Sequence, residues 1–291
     1  MTIHQAHQQL LFQLYHIYDN REATNIADWV MESLTGWRKI DRVLNKQLPL
    51  LPDTISLLEK YTAELLEHRP VQYVLNESWF YGLKFFVNEH VLIPRPETEE
   101  LVEWIIKAES MANRETPLQI IDIGTGSGCV PVSLKKNIRL ADVFAVDISE
   151  DALQTAKKNA EANDTVIHFT RQDFLDKSKW GLLPKTDIIV SNPPYISINE
   201  KSAMARNVVE YEPGLALFVN DNDPLIFYKA IADFAETNLN KGGSVFLEIH
   251  ESAGDSVVKI FLEKGYSEVI LKKDMQGKDR MVRAKKTNLE I

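Results

Sequence analysis

The chain has 291 residues, of which 44% are hydrophobic and 26% are charged, and its formal net charge is −9 at pH 7. This composition is typical of a globular protein without membrane spans. The negative charge disfavours a protein whose main role is to bind nucleic acid phosphates. The single cysteine, Cys129, precludes an internal disulfide and favours a reducing cytoplasm. We expect no signal peptide, and no metal site, because no His pairs with Cys at ligand spacing.

Residues 1–70 show helical periodicity and no strand pattern. Apolar side chains recur at helical spacing, as at Leu10, Leu11 and Leu14, and again at Leu58 and Leu65. Breaks at "DNRE", "LTGW" and "LPLLPD" predict four short helices in a small bundle. Nothing in the segment suggests catalysis, so it is either a structural or a partner-docking module, and we expect a substrate-docking domain.

The rest of the chain changes pattern twice. Residues 71–92 alternate aromatic and aliphatic side chains around turn residues, which predicts a β-hairpin linker. Residues 93–291 then alternate strands with helices, which predicts an α/β domain with a mainly parallel sheet and helices on both faces. The predicted strands are "LQIIDIG", "DVFAVDI", "VIHFTRQD", "DIIVSN", "GSVFLEIH" and a closing antiparallel hairpin of "SEVILKKD" and "DRMVRAKK". The predicted helices cover about 150–162, 225–239 and 252–264.

A glycine-rich segment, "DIGTGSG", follows the first predicted strand. Its alternate glycines permit a tight turn against which a ligand can lie. The spacing differs from the G-x-G-x-x-G of a dinucleotide site, and the Lys-Ser/Thr of a P-loop is missing. A simple glycine turn is the alternative interpretation.

Acidic residues end the next two strands, at the edge where such sheets bind ligands. Asp147 is placed to accept hydrogen bonds from both hydroxyls of a ribose, and Asp173 could accept from an adenine amine. The ring of Phe174 could cover the adenine face. A ligand with ribose and adenine but no pyrophosphate is therefore predicted. S-adenosylmethionine fits this description, whereas NAD fits poorly.

The segment "NPPY", Asn192 to Tyr195, ends the fourth predicted strand beside the expected methyl group. Proline cannot donate to a strand ladder, so a strand-ending turn is the simpler alternative. An amide nitrogen is a poor nucleophile, however, and two acceptors that bind its N–H groups would hold it in line and stabilise developing positive charge. The side-chain oxygen of Asn192 and the carbonyl of Pro193 can be these acceptors, and Tyr195 can form a flat wall.

Together these motifs resemble a class I S-adenosylmethionine-dependent methyltransferase with a Rossmann-like seven-stranded sheet. "QYV", "IPRPETE", "NPPYI", "EPGLAL" and "DMQGKDRMV" narrow the resemblance to the HemK/PrmC family, over nearly the whole chain. Members of that family methylate the glutamine of the Gly-Gly-Gln tripeptide in class I peptide chain release factors, with S-adenosylhomocysteine as the second product. The resemblance implies a cytoplasmic monomeric enzyme in translation termination, with a release factor as protein partner and neither a membrane nor a nucleic acid as substrate.

The site residues are then expected in three sets. The catalytic residues are Asn192, Pro193 and Tyr195, and the substrate-binding set is Asn192, Pro193, Pro194 and Tyr195. The cofactor-binding residues are Gly124, Thr125, Gly126, Ser127, Gly128, Asp147, Asp173, Phe174 and Asn192. The resemblance also places Arg95 to Glu99 beside the mouth of the site, without a role for each side chain.

Other functions share some of these motifs. A sister family that methylates a ribosomal-protein glutamine carries them too, although "RPETE" and the short helical N-terminus favour the release-factor enzyme. A nucleic-acid amino-methyltransferase would need a recognition region and a basic groove. An oxidoreductase would need the other glycine spacing, and a non-catalytic module would not need "NPPY". The chain departs from the family at Leu75-Asn76, at His250-Glu251 and in "VNDNDPL", and the last two put the exact partner in doubt.

Overall fold

The computed structural model describes residues 1–109 and 115–286, which divide into two units. The first comprises Met1–Glu77 and Ala205–Tyr211, and the second comprises Ser78–Met204 and the residues from Glu212 onward. The helices of the described residues, in chain order, are α1 Ile3–Leu14, α2 Asn20–Thr35, α3 Lys39–Leu44, α4 Pro52–Leu66, α5 Val71–Leu75, α6 Pro96–Glu109, α7 Cys129–Asn137, α8 Glu150–Ala162, α9 Arg206–Tyr211, α10 Gly214–Leu217, α11 Ile226–Asn238 and α12 Gly254–Glu263. Short 3₁₀ helices cover Lys177–Leu182 and Ile198–Ala203.

The strands of the described residues form three sheets. They are β1 Ser78–Phe80, β2 Leu83–Phe85, β3 Leu118–Ile123, β4 Ala141–Asp147, β5 His168–Arg171, β6 Thr186–Ser191, β7 Ile196–Ser197, β8 Phe218–Val219, β9 Leu239–Glu248, β10 Glu268–Lys273 and β11 Asp279–Lys285. Strands β1 and β2 make a hairpin, β7 and β8 a short parallel pair, and the other seven one sheet. No helix in 1–109 or 115–286 is both long enough and apolar enough to cross a membrane.

Helices α1 and α2 of the first unit begin at side-chain caps. Helix α1 begins with a capping box, in which Thr2 and Gln5 each accept a hydrogen bond from the other's backbone N–H. The carboxylate of Asp19 accepts from two N–H groups at the start of α2, which ends at Gly36 with φ of 68°. Helices α1, α2 and α4 each bury one apolar face in a shared core, as the periodicity predicts, whereas the only buried residue of α3 is Arg42. The buried residues from α1 and α2 are Ile3, Ala6, Leu10, Leu14, Ala23, Ile26, Ala27, Val30 and Met31.

The hairpin predicted for residues 71–92 is shorter than expected. Residues Val71–Leu75 form helix α5, which follows Pro70 and ends at Asn76 in the left-handed conformation. The buried residues of this helix are Val71, Tyr73 and Val74, and their spacing is that of one helical turn and not of a strand. Only Ser78–Phe80 and Leu83–Phe85 pair as strands.

The seven-stranded sheet confirms the predicted fold class. Its strand order is β10-β11-β9-β6-β3-β4-β5, with β11 antiparallel to both neighbours and the remaining neighbours parallel. The chain runs outward from β3 through β4 to β5, and then returns to the other side of β3 with β6. The pairing of β3 with β6 is therefore the switch point, where ligands of α/β sheets bind at the carboxyl ends.

Alternate residues of the central strands enter two cores, one on each face of the sheet. Ile121, Ile189 and Val245 pack with α11 and α12, whereas Ile120 and Ile188 pack with α6 and α7. Helix α7 was not among the predicted helices. Pro131 and its β-branched neighbours weaken the helical signal, although proline is tolerated in a first helical turn.

The buried Asn159 on α8 joins the segment after the hairpin to the glycine-rich loop. Its Oδ1 accepts from the backbone N–H of Phe86 at 2.7 Å, and its Nδ2 donates to the carbonyls of Phe86 at 2.9 Å and Ser127 at 2.8 Å. We expect Asn159→Ala to lower the free energy of unfolding by about 2–4 kcal/mol, because it leaves these backbone groups without partners. Denaturant unfolding measures the change.

Asn163 is the matched control for this prediction, because it lies one turn further along and its Nδ2 donates to two carbonyls near solvent. Asn163→Ala should cost less than about 1 kcal/mol. An equal loss in the two variants would contradict the role given to Asn159.

Candidate active site

A cavity of about 310 Å³ opens at the carboxyl ends of the central strands. The segments that follow β3, β4, β5 and β6 all contribute to its wall, as do residues before and within α6. Among the predicted site residues, the structure brings Gly124, Thr125, Gly126, Ser127, Asp147, Asp173, Phe174, Asn192, Pro193 and Pro194 to the cavity. Gly128 and Tyr195 do not line it.

The glycine-rich loop has a left-handed backbone that requires glycine. Gly124, Gly126 and Gly128 have φ of 77°, 53° and 79°. A Cβ on Gly128 would lie 3.0 Å from the Cβ of Ala156 on α8, so this glycine also permits close helix packing. Its role is thus in shaping the loop, whereas Gly124 and Gly126 border the cavity itself.

Asp147, at the end of β4, holds the loop in place. Its Oδ2 accepts from the N–H of Gly126 at 2.8 Å, and its Oδ1 accepts from the N–H of Ser149 at 2.9 Å. Burial raises the pKa of this carboxyl, and these N–H groups oppose the rise by stabilising the charge. An ionised carboxylate has about four lone-pair sites, so acceptor capacity remains for a ligand.

Asp122 is an acidic residue that the residue-by-residue predictions missed. It ends β3, is 2% exposed and lines the cavity. Its Oδ2 has no hydrogen-bond partner among the described residues, nor do the hydroxyl of Thr125 and the Nε2 of Gln172. Burial raises the pKa of Asp122 to about 7, and the nearby charge of Asp147 adds to the rise. Its position near the end of a strand, two residues before the first glycine, was the signal available in the sequence.

Asp173 and Phe174 line the cavity but are also used by the surrounding structure. The Oδ1 of Asp173 accepts from the N–H of Leu175 at 2.9 Å. The ring of Phe174, 5% exposed, packs against Trp180 and Phe234 with centroid separations of 5.6 Å and 5.3 Å. Adenine binding by these two residues stays a prediction.

The end of β6 presents two acceptors at the cavity. Ser191 donates to the carbonyl of Ile123 at 2.6 Å, which holds the end of β6 against the end of β3. The Nδ2 of Asn192 donates to the hydroxyl of Thr98 at 3.1 Å. The Oδ1 of Asn192 and the carbonyl of Pro193 accept no hydrogen bond from residues 1–109 or 115–286. Both are therefore available to a ligand.

Tyr195 lies behind this segment and not in the cavity wall. Its hydroxyl donates to the Oε1 of Glu248 at 3.3 Å, and its ring lies 5.9 Å from that of His250. Burial raises its pKa, and the Glu248 charge adds to the rise. The structure thus gives Tyr195 a contact that the sequence did not indicate.

Glu248, at the end of β9, is a second acidic residue that the predictions missed. It is 1% exposed, and its Oε2 accepts from the hydroxyl of Thr98 at 2.6 Å. Burial raises its pKa to about 7, against the stabilising effects of Thr98 and Arg280. Like Asp122, it could have been found as an acid at the end of a central strand.

The "IPRPETE" segment binds several separate parts of the second unit. Arg95 pairs with the buried Glu212 at 2.5 Å, and the N–H of Ile93 donates to the same carboxylate at 3.3 Å. Glu99 accepts from the N–H of Tyr81, in the β1–β2 turn, at 3.0 Å. These contacts give Arg95 and Glu99 the individual roles that the sequence left open.

Comparison with known proteins places the chain in a family. Its sequence is 44% identical to a release factor glutamine methyltransferase of Flavobacterium psychrophilum, over 97% of this chain and 99% of the relative. It is 40% identical to a protein of the same name from Bacteroides thetaiotaomicron, over 93% and 95% of the two chains. The chain belongs to the release factor glutamine methyltransferase family.

Family models agree with this membership, and a solved structure agrees with the fold. Residues 5–75 match the PrmC N-terminal domain, and residues 106–212 match the methyltransferase small domain. A crystal structure of a methyltransferase from Pyrococcus furiosus has the same fold, with a TM-score of 0.50 at 19% identity, covering 79% of this chain and 99% of that one. The resemblance drawn from the motifs is confirmed.

The two departures from the family pattern that concern the rim do not reach the cavity wall. His250 lies 2.8 Å from Ser252 through Nδ1 and 3.5 Å from Glu200 through Nε2, and Glu251 pairs with Lys278 at 2.5 Å. In the "VNDNDPL" stretch, Asp221 accepts from the hydroxyl of Ser197. Both departures contact the segment after "NPPY" or the closing hairpin, outside the cofactor cavity.

The raised pKa values of Asp122 and Glu248 predict a pH dependence of stability. Each folded carboxyl holds its proton to about pH 7, whereas in the unfolded chain it loses the proton near pH 4. The folded state therefore binds more protons between these values, and stability falls as pH rises through that window. We expect Asp122→Asn and Glu248→Gln each to be more stable than the wild type at pH 8, on the order of 1–3 kcal/mol.

Denaturant unfolding at pH 5 and pH 8 tests this expectation. Glu161→Gln, at an exposed position on α8, is the control and should leave the pH dependence unchanged. The prediction would be contradicted if Asp122→Asn and Glu248→Gln were less stable than the wild type at pH 8, or if their stability changed with pH as much as that of the wild type and the control.

Proposed function

We propose that the protein transfers a methyl group from S-adenosylmethionine to the side-chain amide nitrogen of the glutamine in the Gly-Gly-Gln motif of class I peptide chain release factors. The observation that carries this proposal is the pair of available acceptors at the end of β6, the Oδ1 of Asn192 and the carbonyl of Pro193, beside the cavity. Relatives named for this activity over almost the whole chain support the same assignment.

The cavity residues fit S-adenosylmethionine. The buried Oδ2 of Asp122 has no donor among the described residues, and the ammonium of the methionine part would provide one. Asp147 would hold the ribose hydroxyls, and Asp173 and Phe174 would contact the adenine. When bound, S-adenosylmethionine supplies an electrophilic methyl group and leaves as S-adenosylhomocysteine.

The residues after β6 would orient the substrate amide. Asn192 and Pro193 each accept one N–H of the glutamine side chain, which places the nitrogen in line with the methyl group. The same two dipoles stabilise the positive charge that develops on the nitrogen as its new bond forms. Because both acceptors are neutral amide oxygens, the proton lost from the nitrogen passes to water.

The first unit would dock the release factor. Several apolar side chains on and after α3 are exposed, as a protein-binding surface requires: Ile40, Val43, Leu44, Leu48 and Leu51. We expect the active enzyme to be a monomer. We place the protein in the cytoplasm, where release factors act.

Cofactor binding is the first test. We expect Asp147→Ala to weaken binding of S-adenosylmethionine by about 1.5–3 kcal/mol, because a charged acceptor for the ribose is lost together with the support for Gly126. Calorimetry measures the affinity. Asp142→Ala, at the opposite end of β4 and outside the cavity, is the control and should bind as the wild type does. Equal affinities in the two variants would remove the ribose assignment.

Methyl transfer is the second test. With cofactor saturating, we expect Asn192→Ala to slow single-turnover methylation of a purified release factor roughly 10²–10³-fold, because one preorganised transition-state contact is lost. Asn192→Asp keeps an acceptor of similar shape, so it should retain more activity than Ala but less than Asn.

The same assay separates the competing functions. Radiolabelled methyl transfer to release factor, ribosomal protein and DNA should label only the release factor, at the glutamine of Gly-Gly-Gln. Preferential labelling of ribosomal protein or DNA would refute the substrate assignment. An Asn192→Ala variant as fast as the wild type would refute the amide-orienting role.

A further inference from the structure

A chain of hydrogen bonds runs from Asn192 through Thr98, which also lines the cavity, to the buried carboxylate of Glu248, which does not. The hydroxyl of Thr98 has a single proton, which it donates to the Oε2 of Glu248 at 2.6 Å. Its remaining contact, with the Nδ2 of Asn192 at 3.1 Å, is then one in which the hydroxyl oxygen accepts. Thr98 is 3% exposed and Glu248 1% exposed, so water does not compete for either bond.

This arrangement determines which way the Asn192 amide faces. The oxygen and nitrogen ends of an asparagine amide are almost identical in shape, so only the neighbouring groups favour one orientation over its flipped alternative. Because the hydroxyl oxygen of Thr98 accepts, the amide nitrogen of Asn192 is the end that faces Thr98. The oxygen is then the end that remains for the cavity, which is the end that a substrate NH₂ group needs.

Above about pH 7, where the Glu248 carboxyl is ionised, it makes the selection one-sided because a carboxylate without its proton can only accept. Its second oxygen accepts from the hydroxyl of Tyr195 at 3.3 Å. The same carboxylate therefore connects to both residues that flank Pro193 and Pro194, to Asn192 through Thr98 and to Tyr195 directly. Without it, the Thr98 proton would be free to turn toward Asn192 and favour the flipped amide.

We infer that Thr98 and Glu248 are positioning residues, which act through Asn192 by presenting its oxygen, and not its nitrogen, to the substrate amide. The inference rests on the proposed function and concerns the effect of each residue on Asn192; Glu248 lies outside the cavity wall.

The decisive experiment is a double-mutant cycle between Thr98 and Asn192. Thr98→Val keeps the shape of the side chain and removes the hydroxyl, whereas Thr98→Ser keeps the hydroxyl and removes the methyl group. We expect Thr98→Val to lower the single-turnover methylation rate about tenfold, with the release factor concentration for half-saturation changed less than about twofold. Thr98→Ser should stay within about threefold of the wild type. In the Asn192→Ala background, Thr98→Val should cause no further loss.

Two further variants complete the experiment. Thr186→Val is the matched control, because Thr186 is also buried in the second unit but its hydroxyl has no partner in the described chain and lies outside the cavity. It should methylate at the wild-type rate. Glu248→Gln removes the carboxylate that accepts from the Thr98 hydroxyl, and so tests the same contact from its other side. It should slow methylation in the wild-type background and cause no further loss in the Asn192→Ala background.

The outcomes separate the inference from the function on which it rests. If the wild type does not methylate a release factor, the proposed function fails and the inference fails with it. If the wild type is active but Thr98→Val is as fast, or slows Asn192→Ala by the same factor as it slows the wild type, the inference alone is overturned. An active Glu248→Gln variant with an unchanged rate would overturn the part that concerns Glu248.

Discussion

The parallel pairing of β3 with β6 is the constraint on which the site depends. Ile120, Ile121 and Asp122 lie opposite Ile188, Ile189 and Val190, so the two strands end side by side. The chain leaves β3 toward β4 and reaches β6 from the other side, and no helix can cover both ends at once. The glycine-rich loop and "NPPY" therefore face one opening, and the bond from Ser191 to Ile123 fixes their separation.

Two buried carboxyls at the ends of central strands are costly to the folded state. Asp122 and Glu248 are almost fully buried and both have raised pKa values, which means that their ionised forms are poorly compensated. Asp147 differs, because backbone N–H groups satisfy part of its charge. Asp122 lines the cavity and Glu248 binds the cavity residue Thr98, and residues that weaken the fold at such a place are those expected of a functional site.

The "IPRPETE" segment shows why a motif can be specific without being catalytic. Arg95 binds Glu212, Thr98 binds Glu248, and Glu99 binds the turn at Tyr81. Each side chain thus connects the start of α6 to a different part of the second unit. These three positions therefore have separate geometric requirements, although none of them requires a role in the chemistry.

The sequence by itself determined the strand ends, the glycine-rich loop, "NPPY" and the family. These depend on local requirements, such as positive φ at Gly126 and a proline pair that ends a strand. It also indicated Asp147, because each predicted strand can be followed along the chain to the acidic residue at its end. A helical turn at Val71–Leu75 was mistaken for part of a hairpin, since a few alternating residues satisfy either period.

Only the tertiary structure decided how these parts meet. Thr98 and Glu248 are 150 residues apart in sequence, and Arg95 and Glu212 are 117 apart, so no local pattern records their pairing. The placement of Tyr195 behind the cavity follows equally from its contact with Glu248 on another strand. Long-range hydrogen bonds depend on the order of strands in the sheet. Side-chain periodicity predicts which residues share a face of a strand, but it does not predict which strands are neighbours.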